Sequence, residues 1–338
     1  MKLRRCRESS LWGELVATFG ESLLLHSWDA LDLQERVLGV TIDRYIVEQD
    51  GRPVGVFPVV RHRPHSLNAP ILPFPFLGPL VPTDLLQSVT HALRGAQFRS
   101  GLVMSRFDVG PLVSDEWREH LEDAGCAVRD RATVVVDLTP HSSREELEAS
   151  YARNHRRSIR RARQGGGLVR AAEAGECTRL LPRVLDMVYT RHGRDNPYPP
   201  EIGQLVESWA ASRKDVGLLT AEVHGEFAGM LVVLGGSPTA LSWLGGSLSR
   251  FREVGINHML YHEALAWALE RGHPRMDFSG GVLGGVLRFK LGFNGVHRAG
   301  LHVQSSLLPR QVLKVARTVR GKARGESANE VSERQLAP

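Results

Sequence analysis

Asp277, Arg288 and Lys290 stand within residues 274–295 among Gly280, Gly281, Gly284, Gly285, Gly292 and Gly295. Glycines let a backbone approach a bound group closely. A lysine there is able to neutralise negative charge that develops during a reaction, and an acid is able to orient an amine or accept its proton. Lys290 is therefore the leading catalytic candidate; the plain alternative is a surface lysine beside Arg288. Asp277 has two readings: a group that handles the amine, or a cap on the glycine turn. Arg288 and Phe289 precede Lys290 as substrate-binding candidates, Phe289 reading also as a core anchor.

A second cluster is basic. Ser142 and Ser143, with Glu145 and Glu146 three residues on, form a double capping-box signal. The spacing predicts a helix from there to about Gln164, stopped by Gly165, Gly166 and Gly167. It carries Arg153, Arg156, Arg157, Arg160, Arg161 and Arg163, with no acid after Glu148. Arg153, Arg157, Arg160 and Arg161 recur at helical spacing and share one face, where like charges repel unless an anion offsets them. The face is either solvated or a contact for phosphates of tRNA, a nucleotide or a cofactor; arginine suits bidentate phosphate contact. Beyond Tyr151 there is little aromatic interleaving, so base stacking is not expected.

These residues need elements to hold them. Met276 to Phe278 reads as a buried strand entering the glycine turn, with a short helical segment carrying Arg288 and Lys290 after it. Upstream, residues 178–191 and 200–212 read as helices, and Val216–Val223, Phe227–Leu234 and Thr239–Leu244 as a three-stranded meander. Residues 255–270 form an amphipathic helix with Ile256, Met259, Leu260, Ala264, Trp267 and Ala268 on its buried stripe. A last strand is expected near His302–Ser305. In the first half, helices at 11–18, 83–95 and 114–124 (starting at Ser114) are interspersed with strands at Tyr45–Val47, Val54–Val60, Leu102–Phe107 and Thr133–Leu138. The hairpin there turns at Asp50-Gly51, and Asp108 ends a strand. Pro64, Pro70, Pro73, Pro75, Pro79 and Pro82 make residues 64–82 a stiff loop. Its Phe74 and Phe76 either staple the core or wall a substrate site. The alternation makes a mixed α/β fold.

The chain has 338 residues, 42% hydrophobic and 24% charged, which implies a globular protein with two domains of roughly 150 residues each. Its formal charge of +6 suits an anionic partner such as tRNA, a nucleotide or a membrane surface. Cys6, Cys126 and Cys177 show no metal-ligand spacing and no disulfide framework, so a cytoplasmic location is expected. No signal-peptide pattern and no apolar run of about 20 residues is present. His258 and His262 lie four apart, but Ala266 stands where a zinc-protease pattern needs its second histidine, so no metal site is expected. The basic residues from Arg310 to Arg324 open a tail, 309–338, whose end is expected to be disordered.

Three segments carry a resemblance. Leu147–Arg163 is the basic helix. Ser242-Trp243-Leu244-Gly245-Gly246 precedes the helix ending Ala266-Trp267-Ala268-Leu269-Glu270-Arg271-Gly272. Met276-Asp277-Phe278-Ser279-Gly280-Gly281 precedes Leu287-Arg288-Phe289-Lys290-Leu291-Gly292-Phe293. On these the chain resembles the Fem-type aminoacyltransferases, the FemAB-like branch of the GNAT acyltransferase superfamily, over residues 141–300 and more weakly before. Gly78-Pro79 and Phe107-Asp108 resemble further family positions. The coiled-coil arm of some Fem enzymes has no counterpart here.

The resemblance implies two tandem GNAT-like domains with mixed, mostly antiparallel sheets flanked by helices. The boundaries expected are 1–140 for a degenerate acceptor-side domain, 141–308 for the better-defined second domain, and 309–338 for the tail. It also implies amide formation. Aminoacyl-tRNA is the expected donor and an amine on a peptidoglycan precursor or small peptide the acceptor; a nucleotide-linked acceptor, a lipid-linked one and peripheral membrane contact are all compatible with the resemblance. Lys290 matches the family's catalytic-site lysine, with Asp277 and Asp108 as acid candidates and Arg153, Arg157, Arg160, Arg161 and Trp243 on the binding side. Lys290→Ala is expected to abolish transfer and leave the fold intact. The alternative is an acyl-CoA N-acyltransferase. Arg252-Glu253-Val254-Gly255-Ile256-Asn257 resembles the GNAT pyrophosphate loop except at Asn257, and a helix N-terminus suits a pyrophosphate. Acyl-CoA is the cofactor only under that alternative. A third class is a non-catalytic binder on a duplicated fold.

Overall fold

The described residues build one sheet of eleven strands whose middle is shared by both halves of the sequence. The computed structural model describes residues 1–19, 23–61, 77–100, 104–110, 115–191, 193–236, 238–280 and 284–306. Phe74, Phe76, Pro64 to Pro75, Ser114, Gly281 and the tail 309–338 lie outside the described residues. The strands are β1 (Lys2–Arg5), β2 (Thr41–Gln49), β3 (Arg52–Arg61), β4 (Met104–Val109), β5 (Ala127–Asp137), β6 (Gly167–Ala171), β7 (Val216–Val223), β8 (Glu226–Leu234), β9 (Thr239–Ser247), β10 (Arg275–Asp277) and β11 (Val296–Ser306). The α-helices are α1 (Ser9–Ala17), α2 (Trp28–Leu38), α3 (Leu86–Ser100), α4 (Asp115–Asp123), α5 (Arg144–Ser150), α6 (Arg153–Gln164), α7 (Glu176–Arg191), α8 (Ile202–Ala210), α9 (Ile256–Glu270) and α10 (Gly284–Leu291).

The strand order is β1-β2-β3-β4-β11-β5-β10-β9-β8-β7-β6. All the pairings are antiparallel except β10 with β9. The β2–β3 hairpin turns with positive φ at Asp50 (52°) and Gly51 (79°), as an Asp-Gly pair favours. The hydrogen bonding does not divide at residue 140. β5, from the first half, pairs with β10, and β11, from the end of the second half, pairs with both β4 and β5.

Helices cover both faces. On one face α6 and α9 pack on Val134, Val136, Leu219, Ala221 and Leu231, while α3 and α4 pack on Phe107, Val109, Leu301 and Val303. On the other, α1 and α2 pack on Ile42, Ile46, Val56 and Val60, while α7 and α8 pack on Met230, Val232 and Leu241. No helix among the described residues is long and apolar enough to cross a membrane.

Three expectations change. The basic helix is not continuous: it breaks at Tyr151, whose backbone is extended (φ −72°, ψ 157°). The break has a cause in packing. The Tyr151 ring is buried edge-on against Phe293 at 5.1 Å, and the Ala152 N–H donates to the Gly292 carbonyl. Ser143 caps α5 by accepting from the Glu146 N–H, while the Glu146 carboxylate turns to Ser142. Asp108 lies within β4 rather than at its end. β5 and β11 are each eleven residues long, far beyond the segments expected, and β1, α2 and β6 are additional.

Candidate active site

β9 and β10 run parallel for only three residue pairs, ending at Asp277 opposite Leu241. The Phe278 N–H then turns to the Val134 carbonyl, while β9 continues to Ser247 against β8. The two strands part above Asp277, so from Ser242 onward β9 is not paired with β10, and this splay is the opening in the sheet. Ser279 (φ 42°) and Gly280 (φ 41°) form the turn at its mouth. A serine in the left-handed region is uncommon and is held here by its partners. Its N–H donates to Asp277 Oδ1 at 2.6 Å and its hydroxyl to the Ser242 carbonyl at 2.8 Å.

Asp277 is 1% exposed. Its Oδ1 also accepts from the Thr133 hydroxyl at 2.5 Å. Burial raises its pKa to about 6, against the opposing pull of Thr133, the Ser279 N–H, Lys290 and Arg131. Lys290, 4% exposed, comes from α10 and spends its protons on backbone: Nζ donates to the carbonyls of Phe278 (2.9 Å), Ser279 (2.6 Å) and Gly280. Burial lowers its pKa to about 8, opposed by Asp277. Lys290 is therefore not a surface lysine. It ties the turn together, and its three protons already have acceptors.

Asp108 sits on the same face of the sheet as Asp277. It pairs with Arg131 of β5, and its Oδ1 meets His302 Nδ1 of β11 at 2.5 Å. Arg131 is also close enough to Asp277 and Tyr198 to interact electrostatically with both. The two acids that the sequence separates are thus joined across β4, β11, β5 and β10 by one arginine. Gly78 lies against the Asp108 backbone, where an added Cβ would come within 2.5 Å of its carbonyl oxygen, and the Gly78 carbonyl meets His26 Nε2 at 3.1 Å.

Around the other side of the opening, α6, α9 and α10 meet. Gly255 (φ 90°) caps the N-terminus of α9 and lies so close to the Ser158 carbonyl of α6 that a Cβ would stand 2.5 Å away. His155, Ile159 and Ala162 are the buried face of α6. His155 packs on His258 and donates through Nε2–H to the Phe289 carbonyl, 2.8 Å away. Arg153, Arg156, Arg157, Arg160 and Arg161 are all exposed, and among the described residues none has a carboxylate partner; Arg163 alone pairs, with Glu148 at 2.7 Å. Arg252 and Arg288 are exposed and Asn257 is half-buried.

The remaining candidates are placed inside. Trp243 is buried under α8 against Trp209, in the core rather than on the opening. Phe289 packs among His155, His258, Tyr261 and Phe293. Tyr261, Thr133, Arg131, Tyr198 and His302 were not expected from the sequence. The Tyr261 hydroxyl lies near Ser242 at the opening; burial raises its pKa and Ser242 opposes that rise. It lies four residues after Asn257, one helical turn along the same face, and that spacing is the signal that finds it.

Residues 149–291 match the model of a family described as an acetyltransferase (GNAT) domain. No curated protein matches the chain. Among solved structures it is similar to FemX, with 13% identity and a TM-score of 0.70 over 90% of this chain and 97% of that one. It is similar to the C-terminal domain of a putative lysylphosphatidylglycerol synthetase from Agrobacterium fabrum, with 14% identity and a TM-score of 0.55 over 93% of this chain and 97% of that one. A tandem GNAT protein from the clavulanic acid biosynthesis pathway has 13% identity and a TM-score of 0.54 over 91% and 99%. These likenesses show the fold: tandem GNAT-like halves, resembling FemX over most of both chains.

Proposed function

We propose that the chain is an amide-forming acyltransferase that moves an aminoacyl group from aminoacyl-tRNA to an amine. The acyl group would lie in the opening above Asp277, beside the Ser279-Gly280 turn. The observation that carries the choice of donor is the exposed basic face of α6, which flanks that opening through α9 and α10. Five arginines without carboxylate partners suit a phosphate backbone. The similarity in fold to FemX and to the synthetase domain supports the same reading.

In the reaction the amine nitrogen attacks the ester carbonyl carbon. A C–N bond forms, the ester C–O bond breaks, and the ribose hydroxyl leaves with a proton. Asp277 Oδ2 makes no hydrogen bond among the described residues, Oδ1 holding the turn, so Oδ2 is the atom that takes the amine proton. Lys290 fixes the turn, and its buried charge favours an oxyanion nearby. Asp108 belongs to the acceptor end. The acceptor is an amine, lipid-linked or peptide-borne, and the site of action is the cytoplasm.

A second reading has acyl-CoA as donor. It is favoured by Gly255 at the N-terminus of the fifteen-residue α9, with Arg252 exposed beside it, an arrangement that suits a pyrophosphate. Product formation from aminoacyl-tRNA and from acyl-CoA, each with and without ribonuclease, separates the two. Loss of product on ribonuclease treatment is expected. Product from acyl-CoA that resists ribonuclease overturns the tRNA reading.

A further inference from the structure

The face of the sheet that carries Asp108 and Asp277 also carries an excess of cations. Residues directly opposite across a sheet share a face, so the registers define the group. His302 stands opposite Asp108 on β4 and Arg129 on β5, and Gly300 stands opposite Arg131. Arg298 stands opposite Thr133, whose hydroxyl reaches Asp277, and Arg106 of β4 lies two residues before Asp108. Four arginines, Arg106, Arg129, Arg131 and Arg298, therefore share this floor with two acids. Asp108 is already engaged by Arg131 and His302. Arg129 and Arg298 are exposed, and among the described residues neither has a carboxylate partner. Gly300, opposite Arg131, adds no side chain of its own to this floor.

None of the four arginines stands directly opposite another, but they are gathered on one face as same-strand and diagonal neighbours, where like charges repel. Their convergence is felt by His302. Burial first, then Arg131, Arg106 and Arg129, lower its pKa to about 4, so the imidazole is neutral near pH 7. Its Nδ1 faces Asp108, and Nε2 has no partner among the described residues.

We propose that Arg129, Arg131 and Arg298, with His302, form an oxyanion subsite that anchors a carboxylate or phosphate of the acceptor. The proposal rests on the acyl-transfer reading for the word acceptor, and on the geometry alone for the anion. Arginine forks match both oxyanions bidentately. The subsite also sets a length. Asp277 is opposite Val135, and Arg131 is four residues along β5, about 13 Å at about 3.3 Å per residue. Arg298, opposite Thr133, lies two residues along and Arg129 six, so an acceptor that places its amine at Asp277 carries its anionic group between about 7 and about 20 Å away along the strand, at about 3.3 Å per residue, the reach of a few extended peptide residues or an equivalent linker.

The test separates the subsite from the reaction. Imidazole NMR signals of the full chain, with His302 assigned through His302→Gln, are followed while inorganic phosphate or acetate is added at constant ionic strength. A saturable shift of His302 is expected in the wild type and an at least tenfold weaker one in Arg129→Gln/Arg298→Gln, for which His224 on the distant β7–β8 turn serves as reference. No saturable His302 response to either ion, or an equal response in the variant, overturns the subsite whatever the enzyme does. The stronger of the two ions tells carboxylate from phosphate. Turnover is then compared for an amine bearing a remote carboxylate and for its carboxamide. The carboxylate form is expected to have an at least tenfold lower KM, an advantage lost in the double variant. Equal KM values in the wild type overturn the acceptor role. Failure of both amines with every donor, alongside a positive NMR titration, overturns the acyl-transfer reading and leaves the anion site standing.

Discussion

Asp277 and Lys290 face each other in a buried site and are pushed in opposite directions by the same burial. With Asp277 titrating at about 6 and Lys290 at about 8, both are charged only between those values. The rate of transfer is expected to be bell-shaped, rising near pH 6 and falling near pH 8, as an interacting pair does. Asp277→Asn should lower the rate at least a hundredfold and remove the acid limb, measured as kcat/KM against pH. The signs for stability follow. A carboxyl raised in the fold contributes stability below its ordinary value, 3.8, which is lost as pH rises to about 6. A lysine lowered in the fold contributes stability above 10.5 that is lost as pH falls through about 8. Lys290 also carries a structural load that the sequence reading did not assign it. Lys290→Met leaves three carbonyls of the turn without their donor, a cost of about 2 kcal/mol or more. A lowered urea midpoint is expected, and Lys290→Ala should likewise fail to leave the fold untouched. An unchanged midpoint would show that the ammonium is not a brace.

At the scale of elements, α6 is held by its narrow apolar face and offers the rest of itself to solvent. Gly255 lets α9 come against it, and Gly292 lets α10 do so, since a Cβ at Gly292 would stand 2.0 Å from the His155 ring. Arg157→Glu/Arg160→Glu leaves that buried face intact. It is expected to weaken donor binding at least tenfold near 0.1 M salt and to make log K less steep in log salt by about 1 to 2. Affinity and slope both unchanged in a filter-binding titration would return α6 to the role of a solvated helix.

The whole molecule is tied together by an exchange. β5 completes the half that contains β10, and β11 returns to complete the half that contains β4. Val134 and Val136 of β5 belong to the core under α9, and Leu301 and Val303 of β11 to the core under α3 and α4. Fragments 1–140 and 141–338 are therefore expected not to melt cooperatively alone but to do so when mixed, as followed by circular dichroism. A cooperative transition in isolated 141–338 would mean that the exchange is dispensable. The same exchange creates the functional floor, because the strands that cross over carry the polar residues.

What the sequence determined by itself is local. Asp50-Gly51 dictates a turn, the apolar spacing of 255–270 a helix, and the glycines of 274–295 a turn beside a buried strand. Each needs only neighbours in the chain. The charged run Arg129, Asp130 and Arg131 hid the first half of β5, ahead of the strand expected at Thr133–Leu138, because a stretch whose faces are both charged lacks the apolar period that reveals a strand. α2 is local in the same sense: Ala30, Leu31, Leu33, Gln34 and Val37 line its buried face, and Gly39 ends it in the left-handed region. Only the tertiary structure decided that Asp108 and His302, 194 residues apart, meet, and that Arg131 links them to Asp277. Strand pairing is non-local: the register that puts these side chains on one face is fixed by packing across the whole sheet, and no spacing within the chain records it.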